Sequence, residues 1–323
     1  MQTEKNKIKL RVVFMGTSEL SEKILAALID NDYNIVGVFT KTDKKIGRKQ
    51  ELTSPAVKLL AEKHAIPIFQ PQTFRHPQAT DQLRELKPDL IVVAAYGKIL
   101  PKAVLEIPGF GCINVHVSLL PKYRGPSPIQ NALLCGETET GTTIMLMDEN
   151  VDTGDILTQR KLAINATDTT ESLMKKLAEQ GATLLLETLP NLIERKIKPT
   201  KQDHFHATLC QLIERDDGHI LWIEDAASIY NKYRALTPWP GIFTYWKNGS
   251  ITVRLKLIAI EIQKRNPEQL RACGEVFEIG CDIGVQTTKG VILIKQLQKE
   301  GKNATDITSF INGHPKFVGS ILF

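Results

Sequence analysis

The sequence predicts an α/β fold: a mostly parallel sheet with helices on both faces, followed by a smaller C-terminal antiparallel β-barrel. Two patterns carry this reading. From Leu10 to Leu189, short apolar runs alternate with amphipathic stretches of helical period, as in strand–helix–strand units whose strands are buried on both sides. Beyond Lys196 that alternation stops. Strand-like runs then follow one another, several of them separated by turn signals such as Asn248-Gly249 and Lys289-Gly290. A chain of 323 residues, 42% hydrophobic and 24% charged, has material for two cores.

Leu10 to Met15 reads as a buried strand, and Gly16-Thr17-Ser18 opens a helix with Leu20, Ile24, Leu25 and Leu28 at helical spacing. A single glycine at this turn leaves no GxGxxG for a dinucleotide, and no GxxxxGK[ST] cradle for a triphosphate occurs. Ile35 to Thr40 is the next strand. The stretch Lys41 to Glu51 gathers Lys41, Lys44, Lys45, Arg48 and Lys49 around Gly47, a basic loop longer than such connections usually are. Helices over 57–64 and 78–86 alternate with strands over 66–69 and 90–95. A central strand over 111–117, a helix over 128–135 and a strand over 142–147 follow. Ile156 to Ile164 reads as an edge strand, and Thr170 to Leu189 as a long helix with Pro190 near its end.

Residues 196–206 lose periodicity and collect Lys, Pro, Thr and His, which divides the chain into domains 1–199 and 208–323 with a linker at 200–207. The second domain has a helix over Ala226–Leu236, closed by Pro238-Trp239-Pro240-Gly241. Strands are expected over 242–246, 251–262, 274–279, 283–287 and 291–298. The formal charge of +5 permits a nucleic-acid partner without demanding one. Five cysteines without a CxxC pair read as buried thiols of a reducing compartment. A polar start and no run of 18 apolar residues give the expectation of a cytoplasmic chain with no membrane partner.

Asn114 and His116 carry the chemistry. Two apart on an expected central strand, they leave on one face, just before a Ser118-to-Arg124 loop that Pro121 and Gly125 keep irregular. Asp152, in a Val-Asp-Thr-Gly turn after the strand 142–147, joins them at the carboxyl edge of the sheet if the two strands are neighbours. His116 has no second His or Cys at ligand spacing, so no metal is expected. A serine nucleophile would have to be Ser118, which lacks the G-x-S-x-G elbow. What remains is acyl or one-carbon transfer without a covalent intermediate, with an amide and an imidazole stabilising an oxyanion and a carboxylate orienting the imidazole or relaying a proton.

Asn114-Val115-His116, the run Ser118-Leu119-Leu120-Pro121-Lys122-Tyr123-Arg124-Gly125 and Asp152-Thr153-Gly154-Asp155 resemble the formyltetrahydrofolate-dependent formyltransferases. Phe14-Met15-Gly16-Thr17, Ala95-Tyr96-Gly97-Lys98-Ile99-Leu100-Pro101, Ala207-Thr208, Asn231 to Gly241 and Phe310-Ile311-Asn312-Gly313-His314 extend the likeness along the chain. The resemblance is to the branch acting on aminoacylated tRNA. It implies a Rossmann-like catalytic domain joined to an OB-like barrel that binds tRNA. It also implies formyl transfer from 10-formyltetrahydrofolate to the methionine of initiator methionyl-tRNA; a monomer is expected. Asn114, His116 and Asp152 match the family's catalytic trio, Ser118, Leu119, Leu120 and Pro121 its folate-contacting loop, and Arg48 a basic residue approaching the tRNA acceptor end. Lys44, Lys45 and Lys49 would add diffuse attraction.

Gly47-Arg48-Lys49-Gln50-Glu51-Leu52 departs from the family's Gly-Arg-Gly-Lys-Lys-Leu, and Leu212 and Arg215 replace two lysines. Both changes thin the positive surface. The alternative is a folate-dependent formyltransferase acting on a small amine, an amino sugar nucleotide or glycinamide ribonucleotide. Such an enzyme has no need of an appended barrel or a basic loop.

Overall fold

The computed structural model describes residues 10–46, 50–263 and 271–323. Two compact units divide these described residues: one holds those within 10–128, 139–164 and 173–211, the other those within 129–138, 165–172 and 212–323.

The first unit is built on a seven-stranded sheet of order β5-β2-β1-β6-β7-β8-β9. Its strands are β1 (Arg11–Gly16), β2 (Asn34–Phe39), β5 (Ile68–Phe69), β6 (Leu90–Ala94), β7 (Cys112–His116), β8 (Glu139–Leu146) and β9 (Ile156–Ala163). β5 to β7 in that order pair parallel, while β8 runs antiparallel to both β7 and β9. The chain leaves β1 toward β2 on one side and returns through β6 on the other. The turns after β1 and β6 therefore flank the switch point where open sheets hold ligands.

Strand alternation sorts the apolar residues. Val12 and Phe14 of β1, with Leu90 and Val92 of β6 and Ile113 and Val115 of β7, face a core shared with α1 (Glu19–Asp30), α2 (Ala56–Lys63) and α6 (Thr170–Ile193), the helix α5 (Pro128–Leu134) lying in the chain just before β8. Val13 and Met15, Ile91 and Val93, and Cys112 face the other core with α3 (Pro77–Glu85) and α4 (Lys102–Leu105). Asn114 and His116 share the parity of Cys112, so their side chains leave on the α3 face. Ser18 caps α1, accepting from the Ser21 amide while the Ser21 hydroxyl takes the Ser18 N–H.

Several expectations are corrected. The basic stretch contains a hairpin, β3 (Lys44–Ile46) with β4 (Glu51–Thr53). α6 runs through Pro190 to Ile193, since a proline this close to a helix end removes one hydrogen bond from a segment about to stop. Only Cys112 and Cys210 of the five cysteines are buried; Cys135 and Cys281 are exposed and Cys273 half-buried, and all five thiols are free. Residues 200–207 are not a free linker: Thr200 pairs with Ile156 of β9, and the segment up to Gln211 belongs to the first unit.

In the second unit β10 (Ile242–Asn248), β11 (Ile251–Gln263), β14 (Val291–Lys299), β13 (Asp282–Gln286) and β12 (Val276–Ile279) form an antiparallel sheet in that order, with β15 (Ala304–Asp306) beside β14. The segment 319–323 closes it. Tyr245 of β10 exchanges both backbone bonds with Phe323, while Gly274 accepts from the Leu322 amide and Ser320 from that of Val276. Both outer strands are thus satisfied by one extended stretch, which removes the open edges a half-barrel would expose. α7 (Ala226–Leu236), capped by Asp225, and α8 (Ile307–Gly313), capped by Asp306, complete the unit. No helix among the described residues is long and apolar enough to cross a membrane.

Candidate functional site

β7 ends at His116, and the chain then turns through Ser118 to Gly125. Thr143 of β8, directly across from His116, fixes this loop: its hydroxyl donates to the Ser118 carbonyl (2.7 Å) and accepts from the Leu120 amide (3.2 Å) and Gln159 Nε2 (2.9 Å). Gln159 Nε2 also donates to the Leu120 carbonyl at 2.7 Å. The Ser118 hydroxyl is fully buried and donates to the Lys122 carbonyl at 2.6 Å, which accounts for it as a structural group rather than a nucleophile. Leu120 is buried as well, whereas Leu119 and Pro121 keep partial exposure.

Asp152 reaches the site by another route than expected. Because β8 is antiparallel, His116 lies opposite Thr143 and Ile113 opposite Leu146, so β8 ends beside the start of β7 rather than at its carboxyl edge. The loop after it folds back over the α3 face, with the Leu146 amide donating to the Asp155 carbonyl at 2.9 Å. Gly154 permits this approach, since a Cβ there would lie 1.8 Å from the Leu146 carbonyl oxygen. Asp152 itself has φ +53°, a left-handed conformation that aspartate tolerates better than most residues.

The three side chains meet. Asn114 Nδ2 donates to Asp152 Oδ1 at 3.2 Å, the Gly125 amide donates to Oδ2 at 2.8 Å, and His116 Nδ1 lies 3.6 Å from Oδ2. His116 Nε2 lies 2.9 Å from the Tyr123 carbonyl. A carbonyl only accepts, so Nε2 carries hydrogen in this arrangement, and the nitrogen that gains or loses a proton is Nδ1, facing the carboxylate. Both imidazole nitrogens thus face protein groups, while Asn114, partly exposed, retains a second amide hydrogen.

The segment 200–210 braces this arrangement. The Tyr123 amide donates to Thr208 Oγ1 at 2.8 Å, the Arg124 amide to the Thr208 carbonyl at 2.9 Å, and the Cys210 amide to the Arg124 carbonyl at 2.8 Å. Gly125, at φ +112°, has no room for a Cβ, which would sit 2.5 Å from the Cys210 carbonyl oxygen. Burial pushes the Cys210 thiol pKa up, and the charge of Asp152 adds to it. Gln202 donates to the carbonyls of Asp152 (2.9 Å) and Gly154 (2.7 Å). Sequence reasoning singled out none of Thr143, Gln159 and Gln202. Thr208 and Arg124 stood only inside motifs, and the polar stretch holding Gln202 read as a linker.

Lys44 and Lys45 are exposed on β3, while Arg48 and Lys49 lie outside the described residues. Asp43, just before β3, accepts from Lys58 (2.7 Å), Gln70 (2.9 Å) and Ser54 (3.0 Å). Lys58 first and Gln70 next hold its carboxyl down at about 2. Lys41 and Lys98 are held below the usual lysine range, mainly by burial and then by a neighbouring lysine, Lys44 for Lys41 and Lys41 for Lys98. Among the described residues, no group of three or more His, Cys, Asp or Glu side chains could hold a metal ion.

Residues 9–189 match the formyl transferase family, and residues 212–315 match the formyl transferase C-terminal domain. The methionyl-tRNA formyltransferase of Caldicellulosiruptor saccharolyticus is 45% identical over 314 residues, covering 96% of this chain and 99% of that one. That of Geobacillus sp. (strain WCH70) is 44% identical over 307 residues, covering 94% of each. Two solved structures share the fold at 19% identity. An N-formyltransferase from Helicobacter canadensis, in complex with folinic acid and dTDP-3-aminofucose, has a TM-score of 0.66 and covers 90% of this chain and 99% of that one. HypX from Aquifex aeolicus, in complex with tetrahydrofolic acid, has a TM-score of 0.64 and covers 96% and 48%. With both domains matched and relatives this similar over nearly their whole length, the chain belongs to the formyl transferase family.

Proposed function

We propose that the chain transfers a formyl group from 10-formyltetrahydrofolate to the α-amino group of methionine on initiator methionyl-tRNA. The observation that carries the chemistry is the Asp152 carboxylate, held by the Gly125 amide and Asn114 and set 3.6 Å from His116 Nδ1. Attack of the amine on the formyl carbon puts negative charge on the formyl oxygen and leaves the amine with a proton to lose. The free N–H of Asn114 is a donor for that oxygen, and a protonated His116 beside it adds positive charge. Asp152 stabilises the imidazolium and, with it, takes the amine's proton and returns one to the departing folate nitrogen.

The acceptor assignment draws support from the relatives named for methionyl-tRNA, similar over nearly their whole length. In this reading Leu119 and Pro121 make the side-chain contacts of the 118–121 loop with the donor, since Ser118 and Leu120 are buried. Arg48, Lys44, Lys45 and Lys49 meet the RNA backbone, and residues 208–323 supply a further RNA surface. A cytoplasmic monomer goes with it. The test offers the protein labelled formyl donor with initiator methionyl-tRNA and, separately, with amino sugar nucleotides and glycinamide ribonucleotide. Transfer to the tRNA with the higher kcat/KM is expected; faster transfer to a free amine would replace this reading with the small-amine one.

A further inference from the structure

The segment 200–210 does more than brace a loop: we infer that Gln202 is a positioning residue for Asp152, its carboxamide oriented by the buried guanidinium of Arg124. Both side chains are buried, each at 5% exposure. Arg124 Nε and Nη2 donate to Gln202 Oε1 at 3.0 and 2.7 Å, and Nη2 lies 3.1 Å from His204 Nδ1. A guanidinium has no acceptor, so it can bond only the oxygen end of the amide. The NH2 end is thereby turned to the carbonyls of Asp152 and Gly154, at 2.9 and 2.7 Å, which can only accept. The amide is fixed from both ends: flipping it would set donors against donors and oxygen against oxygen in a buried site. These two bonds tie down the backbone on both sides of Thr153, in the stretch where Asp152 takes φ +53° and where β8 has delivered the chain to the wrong end of β7. They act with the bond from the Leu146 amide to the Asp155 carbonyl to hold the carboxylate against the Gly125 amide and His116.

The inference rests on the proposed formyl transfer, and the wild-type protein separates the two: absence of transfer to methionyl-tRNA defeats that reading before any variant is made. Gln202→Met keeps the side chain's length and removes both donors. Displacement of a reacting group by about 1 Å costs about 10²-fold, so kcat should fall about 10–100-fold, with KM for donor and tRNA within about twofold of the parent. Gln202→Glu keeps the oxygen bound to Arg124 but sets an anion against the two carbonyls. It should lose at least as much activity, and it carries the test where Gln202→Met unfolds. The deciding measurement repeats each substitution in an Asp152→Asn background, where a residue acting through Asp152 adds no further loss. The same fold-loss in both backgrounds, an unchanged kcat, or a loss that only follows the folded fraction in circular dichroism would overturn the inference.

Discussion

Replacing Asp152 by asparagine removes a charge and, with it, an acceptor. The carboxylate accepts from the Gly125 amide at 2.8 Å and from Asn114 at 3.2 Å, with His116 Nδ1 3.6 Å away, and its side chain is only 14% exposed. Asparagine can keep its oxygen on one of these donors, but its NH2 must then confront the other donor or the imidazole. At 3.6 Å and an effective dielectric constant of about 20, the attraction of a carboxylate for an imidazolium is about 4–5 kcal/mol. Losing it in the transition state corresponds to about 10³-fold in rate, inside the range of about 10²–10⁴ for a positioned acid–base group. Single-turnover transfer of labelled formyl to methionyl-tRNA isolates the chemical step, with donor affinity measured alongside by equilibrium binding. We expect turnover to fall about a thousandfold with donor binding and the melting transition little changed. Turnover within about threefold of the parent would refute the assignment.

Thr143→Val removes three hydrogen bonds from a fully buried hydroxyl and leaves the Ser118–Leu120 loop partly unsatisfied, so urea denaturation should show a loss of about 2–4 kcal/mol and the donor KM should rise. Asn114→Ala should lower kcat by about 10²–10³-fold with a smaller change in donor KM, since a bond to the formyl oxygen strengthens mainly in the transition state; a mainly raised KM would reassign the residue to ground-state binding. The Asp43 carboxyl sits at about 2 against an ordinary 3.8, so its bonds to Lys58, Gln70 and Ser54 stabilise the fold above pH 4 and are lost as pH falls toward 2. Amide exchange of α2 followed over that window should lose part of its pH dependence in Asp43→Asn. Arg48→Ala should weaken tRNA binding and lower the slope of log affinity against log salt by roughly 0.7–0.9, leaving donor binding unchanged. An unchanged slope would mark Arg48 as a solvated loop residue.

The sheet and the trio were legible for the same reason: both depend on strand alternation. Apolar residues on both parities of β1 and β6 announced strands buried on two faces, and the two-residue step from Asn114 to His116 put an amide and an imidazole on one face. Strand direction is not written in that alternation. Nothing in Thr142 to Met147 distinguishes a parallel strand from an antiparallel one, so the meeting of Asp152 with the pair was read correctly and its route was not. Burial of polar groups is equally hidden. Gln202 and Arg124 look solvated in a polar stretch and a basic motif, and their bonds to one another, to the Asp152 and Gly154 carbonyls and to His204 are what offset their burial. The closing stretch 319–323 lacks length as a strand and acquires its role only from the two edges that it satisfies.

The reversal at β8 ties these points into one physical problem. In an all-parallel sheet every strand delivers its following loop to the carboxyl edge, and convergence there is automatic. Here β8 enters beside His116 and leaves beside Ile113, so the acid must be carried back across the face by a loop. A returning loop has many conformations, and holding one of them costs backbone entropy at each residue. The described contacts show where that cost is offset. The Leu146 amide closes the loop on Asp155, Gly154 lets it lie against β8, and Gln202 fastens both sides of Thr153. Thr208 and Cys210 then hold Tyr123 and Arg124, so the carbonyl that fixes His116 Nε2 and the amide that binds Asp152 Oδ2 come from one braced turn. Geometry at the acid–imidazole pair is therefore set by residues some fifty to ninety positions later in the chain, and the stretch that looks most like a tether from its composition is part of the site's frame.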